Sequence, residues 1–177
     1  MHGGVNIEFS ALDIAEAFGN ITFNTNCIVF FVDFRLAPFT KSPGQTEDVY
    51  LVIKELYQNP EKYGIDRDHI AAGGFSSGNT LALGAAIMMQ KHNEEHMLHN
   101  LFLILPSINN ILWTRENAWD TTYWTVSQRF TLEKTKEFMK MAWDFSTKDK
   151  EQLNNSIYVF PGKASKEVVA KLPPTIL

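Results

Sequence analysis

The sequence predicts an α/β fold, a mainly parallel sheet with helices on both faces. Three observations carry this. Strand-length apolar runs alternate with helix-period runs along the chain, as βαβ units require. "CIVFFVDF" (27–34) is a continuous run rich in Val, Ile and Phe, as expected of a strand buried on both faces. "NTLALGAAIMMQKH" (79–92) is apolar on most sides, which suits a buried helix.

Each element follows in order. The 27–34 strand opens with Cys27, the single cysteine, expected as a small buried residue. One cysteine excludes an internal disulfide and a thiolate zinc cage. "TEDVYLVIKELY" (46–57) sets Val49, Val52, Ile53 and Leu56 at i, i+3, i+4 and i+7, an amphipathic helix that Pro60 stops. "HIAAGGF" (69–75) is a short strand of mostly small residues, and the 79–92 helix follows it. "LFLILP" (101–106) is a third strand. "TLEKTKEFMKMAWDF" (131–145) is a helix with Thr131 at its N-cap. "PPTIL" (173–177) opens a fourth strand.

At 177 residues, 45% hydrophobic and 20% charged, the chain fits one globular domain, 1–177. The formal charge of −4 and the lack of a basic patch argue against a nucleic-acid partner. No apolar stretch approaches the ~20 residues of a transmembrane helix. "MHGGVNIEF" lacks the basic and apolar regions of a secretion leader, so the cytoplasm is the default setting. No cofactor or metal is expected.

The chemistry concentrates in "GGFSSGN" (73–79), which contains G-x-S-x-G at Gly74, Ser76 and Gly78. A strand precedes the pattern and an apolar helix follows it. In that context the turn forces the serine into a strained conformation with its hydroxyl projecting from the strand end. Gly74 and Gly78 lack the Cβ atoms that would collide there. Ser77 opens the helix, and its free N–H at the positive dipole end suits a developing oxyanion.

Further motifs stand at a distance. His2-Gly3-Gly4 opens the chain. "VDFRLAP" (32–38) and Glu47-Asp48 follow, then "YGIDRDHIAAGGFSSGN" (63–79), "LILPS" (103–107) and "LPPTIL" (172–177). Together they resemble the hormone-sensitive-lipase-like family of α/β-hydrolases, which contains carboxylesterases and arylacetamide-deacetylase relatives. The resemblance implies that Ser76 is an acyl-enzyme nucleophile. It implies an oxyanion hole from the backbone N–H groups of Gly3, Gly4, Val5 and Ser77. It implies a small acyl-ester or lipid-like substrate, and an Arg35–Asp48 ion pair bracing the sheet. Val5 stands where the family has a third glycine, which narrows the approach. Residues 107–152 match a lid-like helical insertion.

A nucleophilic serine needs a histidine base, itself oriented by a carboxylate. In α/β-hydrolases the order is serine, acid, histidine. After Ser76 only His92, His96 and His99 remain. At 1.5 Å per residue, His92 lies roughly 24 Å along the helix. Asp120, Asp144 and Asp149 follow the serine, but none holds the family's acid position. The expectation is therefore a partial α/β-hydrolase fold. It lacks the N-terminal strands and the C-terminal strands that carry the triad Asp and His, and it is inactive by itself.

Two other readings compete. A non-catalytic binding protein would keep the pocket, with Trp113, Trp119, Tyr123 and Trp124 lining an apolar ligand site, although packing of the lid explains these aromatics as well. His92-x-x-Glu95-His96 fits a zinc-peptidase pattern, but Lys91, Asn93 and Glu94 around it favour a solvated helix end.

Overall fold

A computed structural model describes residues 1–108, 132–147, 149 and 155–177. Its sheet has three parallel strands in the order β1 (Ala71–Phe75), β2 (Asn100–Ile104) and β3 (Thr175–Ile176). β1 and β3 lie within expected strand segments, and β2 starts one residue before its own, 101–106. The helices are α1 (Ala11–Asn24), α2 (Gly44–Gln58), α3 (Pro60–Tyr63), α4 (Ser77–Lys91), α5 (Leu132–Ser146) and α6 (Lys166–Val169).

Helix α4 is the centre of the core. Twelve of its fifteen residues are buried, so it has no solvent face. It connects β1 to β2 and packs on both, with α2 along its other side. Helix α2 buries Val49, Tyr50, Ile53 and Leu56, close to the stripe its periodicity predicts. It ends two residues before Pro60, which begins α3 after the shared cap Asn59. Along β1 and β2 burial alternates strictly. Ala72, Gly74, Leu101 and Leu103 face the helices, while Phe75, Phe102 and Ile104 are exposed on the opposite face. Among the described residues no helix covers that second face.

The 27–34 segment departs from expectation. It is extended but pairs in no ladder among the described residues. Cys27 is accordingly exposed, not buried, and Ile28 is 56% exposed. A strand buried on both faces needs neighbours on both edges, and this run reaches the core near its end, through Phe34 with Val32 packed alongside. The edge of β1 not taken by β2 is met by Met1. Its ammonium donates to the Gly73 carbonyl at 2.7 Å, and its carbonyl accepts the Phe75 N–H at 3.1 Å. Burial lowers that ammonium from its ordinary 8.0 to about 6.

Helix α1 has no counterpart in the sequence reading. Its signal is local: the Ser10 N–H and hydroxyl both donate to the Asp13 carboxylate, the start of a capping box. Leu12 and Phe23 are more than four-fifths exposed, so no clean apolar stripe announces the helix. Of the expected lid, residues 109–131, 148 and 150–152 lie outside the described residues. So do Thr131, Asp120 and the four aromatics Trp113, Trp119, Tyr123 and Trp124. Helix α5 within it docks on the loop before α2, where Ser42 N–H donates to Ser146 O at 2.7 Å. Arg35 and Asp48 form the expected pair, with the guanidinium and the Arg35 N–H all on one carboxylate.

Candidate active site

The turn between β1 and α4 is one residue, Ser76, at φ 53° and ψ −121°. Left-handed φ is costly for any residue with a Cβ, so the surroundings must hold it. The Ser76 N–H donates to Ile104 O at 3.1 Å, and its carbonyl accepts the Asn79 N–H at 3.1 Å. The Asn79 side chain, fully buried, donates Nδ2–H to Ile104 O at 2.6 Å and accepts the Ile104 N–H at 3.1 Å. The end of β2 thus clamps the turn by side chain and backbone together. Two flanking glycines permit it. A Cβ on Gly74 would lie 2.6 Å from the Gly78 carbonyl carbon, and one on Gly78 would lie 2.5 Å from the carbonyl oxygens of Met1 and His2.

The N-terminal loop lies against this turn. A Cβ on Gly3 would stand 3.1 Å from both Phe75 O and Ser76 Cβ. Gly4, Val5 and Asn6 follow with φ of 94°, 48° and 65°, a curl closed by Ile7 N–H donating to Gly4 O at 3.0 Å. Asn6 O accepts the Ala37 N–H at 2.8 Å, tethering the loop to the segment after residue 34. Among the described residues, the N–H groups of Gly3, Gly4 and Ser77 donate to no acceptor. The Ser77 hydroxyl is buried without a partner.

The histidines lie elsewhere. His92 caps the far end of α4 and stacks on Tyr50 at 5.6 Å. His96 sits in a separate 3₁₀ turn, edge-on to Tyr57. The two therefore do not share a helix face, and the zinc-peptidase pattern loses its geometric premise. His99 pairs its ring with His69. His2 turns away from Ser76: Nδ1 lies 2.8 Å from Gly3 O, and the ring stacks on Phe34 at 4.2 Å. Among the described residues no histidine bonds to the Ser76 hydroxyl. Asp144 lies on α5.

The structure thus sets Gly3 against Ser76, with Gly4 and Val5 following in the curl and Ser77 opening α4, and leaves His92, His96 and His99 away from the turn. Sequence reasoning missed Asn79. Its only signal is a polar residue two positions beyond the start of an otherwise apolar helix.

A family model described as alpha/beta hydrolase fold matches residues 1–177. An arylesterase of Saccharolobus solfataricus is 34% identical over 88 residues, covering 49% of this chain and 28% of its own. Arylacetamide deacetylase of Bos taurus is 28% identical over 177 residues, covering 84% of this chain and 44% of its own. The hyperthermophilic esterase of Pyrobaculum calidifontis superposes with a TM-score of 0.83 at 28% identity, over 98% of this chain and 52% of that one. The chain spans about half the length of that esterase and less than half of the two curated relatives.

Proposed function

Because the chain belongs to the alpha/beta hydrolase fold family, and is esterase-like within it, we propose that Ser76 is the nucleophile of a carboxylic-ester hydrolase site. The observation that carries this is the left-handed Ser76, held on a one-residue turn between a strand and a helix N-terminus with the Gly3–Gly4 loop against it. In this reading Ser76 Oγ attacks the ester carbonyl, and the oxyanion takes hydrogen bonds from the N–H groups of the Gly3, Gly4, Val5 loop and of Ser77. The substrate is a small acyl ester, with an aryl alcohol suggested by the relatives. Residues 107–152 serve as a lid.

The proton on Ser76 Oγ needs an acceptor. No histidine among the described residues is bonded to it, and loss of the base from a serine triad costs about 10⁶ in turnover. The 177-residue chain by itself therefore turns esters over negligibly, and a base supplied from outside these residues is required. The same observation favours a second reading, a binding protein derived from an esterase. The test is hydrolysis of a short-chain aryl ester by wild type and by Ser76→Ala, on monomeric protein. Equal, near-background rates are expected. Robust wild-type turnover abolished in Ser76→Ala would keep the nucleophile and sink the inactivity. Robust turnover surviving in Ser76→Ala would sink the nucleophile. Saturable binding of a non-hydrolysable ester analogue without turnover would favour the binding reading.

A further inference from the structure

The His2 imidazole has no solvent exposure. Its Nδ1 lies 2.8 Å from Gly3 O. A carbonyl oxygen only accepts, so Nδ1 carries the proton. Gly3 C=O and Gly4 N–H belong to one planar peptide and point in opposite directions. Fixing the carbonyl therefore aims the Gly4 N–H.

The other ring nitrogen is anomalous. Nε2 is buried without a hydrogen-bond partner, yet it stands 3.9 Å from Asp33 Oδ1. In neutral imidazole this nitrogen presents a lone pair to a carboxylate, and no bond forms. Protonated, it presents N–H, and closing by about 1 Å makes a charge-assisted hydrogen bond. Both partners are already braced. Phe34 stacks on the ring at 4.2 Å, and Asp33 Oδ1 accepts the Ala11 N–H at 3.0 Å.

We propose that Asp33 is a positioning residue that acts through buried His2 on the Gly3–Gly4 peptide, so that the aim of the Gly4 N–H depends on pH. This rests on the oxyanion-loop reading above. The charged groups facing His2 are Asp33 on the extended segment, Asp13 on α1, whose carboxylate feels the imidazole charge in addition to its Ser10 bonds, and the neighbouring Met1 ammonium. The turn and first residues of α4 (75–80) bring no titratable side chain. Because Asp33 is 67% exposed, its pull on His2 weakens with salt.

The experiment follows the Gly3 and Gly4 amide resonances from about pH 8 to about pH 5 in wild type, Asp33→Asn and His2→Gln. Asp33→Asn keeps an oxygen for the Ala11 N–H, removes the charge and turns the second oxygen into an NH2 donor. The pH-dependent displacement of the Gly4 amide is expected to fall at least about twofold in Asp33→Asn and to vanish in His2→Gln. His2→Gln also controls for the Met1 ammonium, which titrates in the same range. An equal displacement in Asp33→Asn, or one that persists in His2→Gln, overturns the proposal. If His2→Gln does not fold, the Asp33→Asn comparison decides alone. The readout needs no turnover, so its failure leaves the ester-hydrolase reading standing, and failure of that reading leaves this measurement intact.

Discussion

Asn79 ties the turn to the end of β2 through its side chain. It is fully buried and satisfies both backbone groups of Ile104. Truncation to alanine leaves the part-buried Ile104 N–H without its partner and removes one of two donors from the Ile104 carbonyl. A loss of about 2–3 kcal/mol in unfolding free energy is expected for Asn79→Ala, measured by urea denaturation. A cost under about 0.5 kcal/mol would mean that water replaces the amide. Much at this scale was legible in the sequence. Gly74, Ser76 and Gly78 are legible because a one-residue turn admits so few residue types. Asn79 was not, because an amide at the third position of a helix looks like any polar residue near a helix start until the strand beside it is known. Cys27 was misplaced for a related reason: apolar neighbours in sequence do not guarantee partners in space.

At the scale of elements, the contact of α2 with α4 is closed at one end by polar groups. Lys54 Nζ lies 2.6 Å from Glu94 Oε1, and the Tyr50 hydroxyl donates to Glu94 Oε2 at 2.5 Å. The bond from Lys54, then that from Tyr50, holds the Glu94 carboxyl below its ordinary 4.5. A lowered carboxyl contributes stability that is present above the unfolded value and lost as pH falls through the folded one. Glu94→Gln should therefore lower the urea midpoint most near about pH 7, with the difference from wild type shrinking toward about pH 3. A difference that grows on acidification would contradict the pairing. Helices α2 and α4 were legible because one has a period and the other has an unbroken apolar surface. The 27–34 segment shows the limit of that logic. Its composition specifies a buried strand, but a ladder is a property of two segments, and no described partner stands beside it.

Over the whole molecule, the two faces of the sheet are unlike. One is filled by α4. The other exposes Phe75, Phe102, Ile104 and Ile176, each at least 40% open, and the register places Phe75 beside Ile104 and Phe102 beside Ile176. A contiguous apolar patch of this kind favours association. Light scattering should show the mean mass of the 177-residue chain rising with concentration. The double variant Phe102→Ser, Ile176→Ser should flatten that rise, and an unchanged slope would place the sticky surface elsewhere. The Ile104 carbonyl, bound by both Ser76 and Asn79, has a consequence at this same scale. The turn has no independent existence, since its shape is inherited from the last residue of a strand nearly thirty positions away. Any fluctuation that frees β2 from β1 lets the serine relax to an ordinary backbone conformation. Partly opened molecules are then not weaker versions of the native one but lack the left-handed serine altogether. The conformation of Ser76 is acquired in one step, together with the closing of the sheet.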